Sequence, residues 1–360
     1  MNLKQTAVDL QSLGVRFGNR FRGRKGGAGP SEGQLVIVKK HYLNVPARSW
    51  FVAESPYSIA ETGGKYILCR DDAELCSVEM PRKPSYYKGI TETGIPLEKI
   101  ALLHGKNCLA STIYQDCIYW NTPAGCKFCG IGISLAQGAT ILEKTPEDLA
   151  ETAAAASRSD GVRHVTLTGG TRADEDASIK HTALCIEHIK KRTALPVHVQ
   201  ICPPRRADAL ERLREAGADT IGIHIESCNN TVLKRFAPCK ARLGLHAYRE
   251  CWRHAVAVFG KNQVSSFIIA GLGQDAEEII DDASMMAEAG VFPFVLPLRP
   301  VPGTMLERMK PPVPDEMMLL YERIVHVLRK NGLSSDASKA GCVRCGACSA
   351  ISLFEGNCEA

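Results

Sequence analysis

Two groups of cysteines stand apart among the fifteen in this 360-residue sequence. Cys117, Cys126 and Cys129 form C-x8-C-x2-C within QDCIYWNTPAGCKFCGIG; Cys342, Cys345 and Cys348 form C-x2-C-x2-C within GCVRCGACSA, with Cys358 ten residues further on. Thiolates ligate zinc and iron–sulfur clusters. A structural zinc site closes with four protein ligands, and the first loop offers three thiols and no further Cys or His. Three thiolates on a cubane leave one iron without a protein ligand, which suits a cluster that binds a small molecule; zinc is the alternative. The second group supplies the first three ligands of a bacterial ferredoxin run but lacks the fourth Cys-Pro. A second [4Fe–4S] cluster is expected there, with Cys358 or a non-protein group completing it, and a zinc knuckle is the alternative.

Composition bounds the setting. With 45% hydrophobic residues the chain can bury a large core, which excludes a disordered or mini-protein reading. The first thirty residues contain no apolar leader, and no apolar run approaches the ~20 residues of a membrane span. A cytoplasmic protein is expected, without membrane association, where clustered cysteines point to metal or catalysis before disulfides. Cys69, Cys76, Cys108, Cys185, Cys228, Cys239 and Cys251 read as small buried residues. The net charge of +5 is local: residues 1–40 carry +6, mostly in RFGNRFRGRKGGAG, and the rest nets −1. That arm reads as a solvated Gly/Arg loop or as a contact for RNA or an acidic partner.

The elements that must hold the cysteines fall into three regions. Residues 1–100 comprise a short amphipathic start, the basic arm and a β-rich region, whose YSIAETGGKYILC suits a hairpin. Residues 101–310 alternate β-branched runs, near 107–113, 162–168, 197–202, 220–226, 263–270 and 292–298, with helical segments near 145–160, 177–192, 207–216, 245–259 and 275–289. A last helix, 315–330, and an irregular Cys-rich extension make up 311–360. Such alternation implies α/β architecture with parallel strands and crossover helices, in a barrel or partial barrel whose ligands sit at the C-terminal strand ends.

With Cys126-Lys127-Phe128-Cys129 following the first strand, the sequence resembles the radical S-adenosylmethionine (SAM) superfamily. There a C-x3-C-x2-C loop follows the first strand of a partial (β/α)6 TIM-like barrel, with an aromatic residue between the last two cysteines. The resemblance implies that Phe128 faces the adenine of SAM. The family's usual first cysteine position is Thr122 here, so Cys117 must reach in from a longer loop. Leu167-Thr168-Gly169-Gly170-Thr171 is similar to the Gly-Gly-Glu element that receives the methionyl amino group, with Thr171 in place of the acid and Asp174 and Glu175 close by. GADTIGIHIES resembles the ribose-binding strand of biotin-synthase-like members, which implies Glu226, with His224 second, as ribose partners; a solvated strand-end Glu is the alternative. Phe267 to Gln274 resembles GxIxGxxE, with Ile269 packing on adenine, Gly271 matching and Gln274 replacing Glu. FPFVLPLRPVPGT resembles the segment whose backbone reads the adenine edge, around Leu296 to Leu298, and Arg242 is assigned to the SAM carboxylate. Cys202 matches a second-cluster cysteine of biotin synthase, but the partner position is Ser265, so that cluster is not reproduced. Cys202 is then a substrate-side residue or a small core residue.

The resemblance implies an enzyme that reductively cleaves SAM at a [4Fe–4S] cluster to a 5′-deoxyadenosyl radical and abstracts hydrogen from a small-molecule substrate, fed by a flavodoxin- or ferredoxin-type electron donor. The suggested subgroup is biotin-synthase-like and associated with nitrilase gene clusters. Sulfur insertion from the second cluster is the competing chemistry. An RNA-modifying enzyme using the basic arm and a non-catalytic iron–sulfur carrier are the readings from other classes.

Overall fold

A computed structural model describes residues 2–18 and 32–356; the basic residues Arg20, Arg22, Arg24 and Lys25, and Cys358, lie outside the described residues. Its centre is a mixed α/β half-barrel, a seven-stranded sheet that takes its strands in strict spatial succession. Six are parallel: β1 (Cys108–Tyr114), β2 (His164–Gly169), β3 (Val197–Ile201), β4 (Thr220–Ile223), β5 (Val264–Ala270) and β6 (Val291–Pro297). The short strand Leu102–His104 adds antiparallel to the free edge of β1. No crossover skips a neighbour, because each strand is followed by a helix that returns the chain to the same end of the sheet.

Local chemistry sets those helices. Thr145 caps Pro146–Asp160 by accepting from Asp148 N, with Pro146 in the first turn; Asp174 caps Glu175–Arg192, and Asp275 with Glu278 forms a reciprocal capping box on Ala276–Glu288. Trp252 and Tyr248 are fully buried on the helical segment Pro238–Phe259, and Trp252 Nε1 donates to Ile223 O at 2.9 Å, tying that segment to the end of β4.

One boundary differs from the sequence reading for a physical reason. Strand β4 stops at Ile223 rather than 226 because side chains interrupt the ladder, His224 Nδ1 accepting Phe267 N and Ser266 Oγ accepting Ile225 N; pairing with β5 resumes at Glu226, which sits at φ +68 and bridges Ile268. The helix expected over 245–259 is present, and Gly244, at φ 78 and ψ 153, separates it from a short helical segment that begins at Pro238.

The N-terminal region contains the expected hairpin, Tyr57–Thr62 with Lys65–Arg70, turning through Gly63 and Gly64 at positive φ. A second hairpin, Gln34–Val38 with His41–Val45, lies against the C-terminal tail. That tail is not irregular throughout: it forms the short helices Gly341–Cys345 and Ile351–Glu355. It packs against the barrel strands, Gly341 N donating to His164 Nδ1 at the start of β2 and Ser349 Oγ to Val295 O within β6. Among the described residues, no helix is long and apolar enough to cross a membrane.

Candidate functional site

The longer first loop reaches the site by coiling. Successive three-residue turns, Trp120 N to Cys117 O, Thr122 N to Tyr119 O and Gly125 N to Thr122 O, compress the eight residues between Cys117 and Cys126, and a fourth, Cys129 N to Cys126 O, closes the C-x2-C end. Trp120 fixes this coil by donating Nε1 to Cys129 O and lying flat on Gly132, where a Cβ would fall 2.3 Å from the indole ring. Lys127 N to Phe236 O and Cys239 N to Ala124 O dock the loop on the following helices. Thr122 spends its hydroxyl on Tyr119 O and stands away from the site.

Cys117, Cys126 and Cys129 line one cavity of about 380 Å³, together with Phe128, Gly169, Gly170, Thr171, His224, Glu226, Ile269, Leu296 and Leu298. Burial pushes the Cys129 thiol up to about 12. The Cys126 thiol is raised too, first by its contact with Cys239 and then by burial, so both thiols favour the neutral form until a cation or cluster joins them. Gly170 has a tighter role than ligand approach: a Cβ there would lie 1.8 Å from Asp116 O and 2.8 Å from Cys117 Cβ, so only glycine lets the end of β2 seat the cysteine loop.

Arg242 is exposed and outside the cavity, against expectation. Two residues earlier, at ~200° around the helix, Lys240 faces inward, its side chain 11% exposed, and forms an ion pair with Glu226 while donating to His224 O at 2.7 Å. Burial raises the Glu226 carboxyl and Lys240 opposes it; for Lys240 burial is outweighed by Glu226, which holds the ammonium well above its ordinary value. Glu226 Oε1 has no hydrogen-bond partner among the described residues. His224 stacks on Phe267 at 3.7 Å and accepts Phe267 N at Nδ1, which puts its proton on Nε2; burial and Lys240 keep the ring neutral. Gly271, at φ +99, packs against Pro312 and Leu298 behind the wall and does not line the cavity.

Two cavity residues escaped the sequence reading, which placed Cys239 in the core and did not single out Lys240. Cys239 Sγ lies 3.6 Å from Cys126 Sγ. The one sequence signal was Pro238, which marks a helix start just before both. Cys202 is exposed on the cavity wall, 3.8 Å from Thr171 Oγ1, and is not a core residue.

The tail cysteines meet the same cavity from its other end, where Cys348 contributes to the lining. Each sulfur faces N–H groups of a distant element: Gln200 Nε2 lies 3.4 Å from Cys342, Asn44 Nδ2 3.4 Å from Cys348, and His104 places Nδ1 3.3 Å from Cys345 and Nε2 3.5 Å from Cys348. Burial alone would raise Cys348, yet His104 outweighs it and brings the thiol to about 7; burial likewise lowers His104, but Cys348 and Cys345 lift it to about 9. At each site three free thiols are gathered, a donor set that suits an iron–sulfur cluster or zinc.

Comparisons with known proteins agree with this geometry. Bacteriochlorophyllide c C-7(1)-hydroxylase of Chlorobaculum limnaeum is 22% identical over 333 residues, which cover 83% of each chain. Two solved structures are more distant. The FeFe-hydrogenase maturase HydG of Carboxydothermus hydrogenoformans has a TM-score of 0.45 and 18% identity over 61% of this chain and 49% of its own. Coproporphyrinogen III oxidase HemN of Escherichia coli, a radical SAM enzyme, has 0.40 and 16% over 58% and 50%. The chain spans about half the length of both structures, and neither score adds to the fold described above. The radical SAM superfamily profile matches residues 122–286, from inside the cysteine loop through β5 and into the helix that follows. That stretch, just under half of the chain, contains Cys126, Cys129 and the ends of β2 to β5, and over it the chain matches the radical SAM superfamily of enzymes.

Proposed function

We propose that the cavity holds SAM at the end lined by the cysteine loop and a small-molecule substrate toward Cys348, and that the enzyme activates a C–H bond of that substrate. The observation that supports this best is that both cysteine groups contribute to one continuous cavity. Cys117, Cys126 and Cys129 would hold a [4Fe–4S] cluster, which when bound supplies the electron that splits SAM into methionine and a 5′-deoxyadenosyl radical.

The chain's own part is to position and to exclude water. Phe128, Ile269, Leu296 and Leu298 offer an apolar wall for adenine, and the backbone at Gly169 to Thr171 reaches the methionyl amino group. Glu226, with Oε1 free, suits the ribose hydroxyls. Lys240 takes the carboxylate role first expected of Arg242, because it is the buried cation of this wall. Arg299 also lines the cavity, and its Nη1 is buried without a partner among the described residues, which suits a substrate with an anionic group on an apolar body. A relative whose name is that of a hydroxylase supports C–H functionalisation.

A second cluster on Cys342, Cys345 and Cys348 belongs to the same proposal, supported by the N–H groups gathered on their sulfurs. Sulfur insertion is the second reading, favoured by Cys348 facing the cavity; its product would be heavier by one sulfur. The test is anaerobic reconstitution to about eight irons, then reduction with dithionite or a flavodoxin-type donor in the presence of SAM. The wild type is expected to release 5′-deoxyadenosine and C126A to release none. Full iron loading without 5′-deoxyadenosine refutes the proposal.

A further inference from the structure

The tail cysteines supply three ligands, and the fourth position of that site is open in sequence. The hairpin that joins strand Leu102–His104 to β1 closes over these sulfurs. Among the described residues His104 is the one side chain hydrogen-bonded to two of the three, with Nδ1 toward Cys345 and Nε2 toward Cys348. Gly105, at φ +58, lies so close that a Cβ would be 2.5 Å from Cys345 Sγ, so this turn is shaped to carry the backbone past the sulfur and present the imidazole. The neighbouring thiol, Cys108, is a weaker candidate. It is 1% exposed, engaged with Thr166 Oγ1 at 3.3 Å, and packs against Cys345, whereas His104 reaches Cys348 as well. Gln200 and Asn44 point amide nitrogens at the remaining sulfurs, an outer shell suited to thiolates that share a cluster.

We infer that His104 is the fourth protein ligand of an iron–sulfur cluster held by Cys342, Cys345 and Cys348. The inference rests on the second cluster proposed above. It assigns the position first expected of Cys358 to a histidine from the opposite side of the barrel base, and it leaves that cluster with no open iron. The imidazole is tied on one side to the strand pairing of Leu102 to His104 with β1 and on the other lies 3.3 and 3.5 Å from two sulfurs, so ligation turns one ring nitrogen away from its sulfur toward the fourth iron by a side-chain movement within the same hairpin.

The experiment isolates the tail site in the full-length chain by C126A/C129A, which removes two ligands of the other cluster. This background is expected to bind about four irons. Pulsed EPR of the reduced protein, grown with 15N-histidine, is expected to show a strongly coupled nitrogen. Adding H104A should lower the iron to about three per chain, abolish the nitrogen coupling and give the signal of an oxidised three-iron cluster. Adding H104C should restore the iron without the coupling, which separates lost ligation from lost folding. C358S should change neither reading. Four irons and an unaltered spectrum in H104A overturn the assignment, as does an iron loss in C358S without nitrogen coupling in the parent. If C126A/C129A binds no iron at all, the second cluster itself is refuted and His104 ligation falls with it.

Discussion

Lys240→Met gives a quantitative test of the cavity wall. The substitution keeps the length of the side chain but removes the charge that accompanies Glu226, and the two side chains are only 11% and 8% exposed. Breaking a buried pair from one side costs about 3–5 kcal/mol while the remaining charge persists. Glu226 can escape by taking a proton, at about 1.36 kcal/mol for each pH unit above its ordinary value of 4.5. Burial without a partner raises a carboxyl further, so protonation is the cheaper course. The pH-dependent part of the penalty is then about 3.4 kcal/mol at pH 7, about 2 at pH 6 and about 0.7 at pH 5. A constant ~1–3 kcal/mol adds to this for the His224 carbonyl left without its donor. The sign follows from the direction: a carboxyl raised by folding stabilises fully below its unfolded value, and that contribution is lost as pH rises toward the folded one. Urea unfolding of wild type and K240M at these three pH values reads the slope. E226Q/K240M, with neither charge, should lose the slope and recover most of the stability at pH 7. A K240M penalty equal at pH 5 and pH 7 would refute the reasoning, because it would mean that Glu226 is solvated and does not depend on Lys240.

Further outcomes separate the two cysteine sites by iron content. Gly170→Ala should displace the loop carrying Cys117 and lose about four of eight irons, while Gly105→Ala should lose the other four, each with the far-UV CD spectrum retained; a G170A protein with full iron would show that the contact with Asp116 yields cheaply. Cys117→Ser should deplete the loop site, whereas Cys239→Ser should leave its iron intact. The reverse result would make Cys239, which touches Cys126, the third ligand.

The loop site was legible because its parts are local: three cysteines within thirteen residues, next to a β-branched run and followed by strict strand–helix alternation. What the sequence hid was geometry that depends on phase. Glu226 was read as the end of its strand, but nothing in IHIES reveals that the ladder breaks after Ile223, that Glu226 adopts a positive φ, or that its carboxylate pairs with Lys240. Arg242 was assigned and Lys240 was not singled out because the short helical segment that Pro238 starts ahead of Gly244 was not foreseen; rotation along that segment puts Lys240 inside and Arg242 outside. Cys108 and Cys239 read as filler cysteines on composition alone. Only the curvature of the sheet and the docking of the loop bring them beside Cys345 and Cys126.

The tail site lay beyond such a reading for a deeper reason. Its spacing is local, yet its surroundings come from Asn44 on a hairpin, His104 on the edge strand and Gln200 on β3, separated from their sulfurs by 304, 241 and 142 residues. A site built this way exists only when the barrel is closed at its base, because Gln11 and Asn44 grip the carbonyl of Ala347 and the tail must pack against β2 and β6 before its sulfurs meet those groups. Binding free energy at such a site is also folding free energy. The coiled loop makes most of its turn contacts within itself, whereas a cluster at the tail would cross-link the N-terminal hairpin, the barrel and the C-terminus. On that argument the tail cysteines have a structural consequence independent of their chemistry: docking them brings Cys348 into the cavity wall and ties the C-terminal segment to the N-terminal hairpin and the barrel.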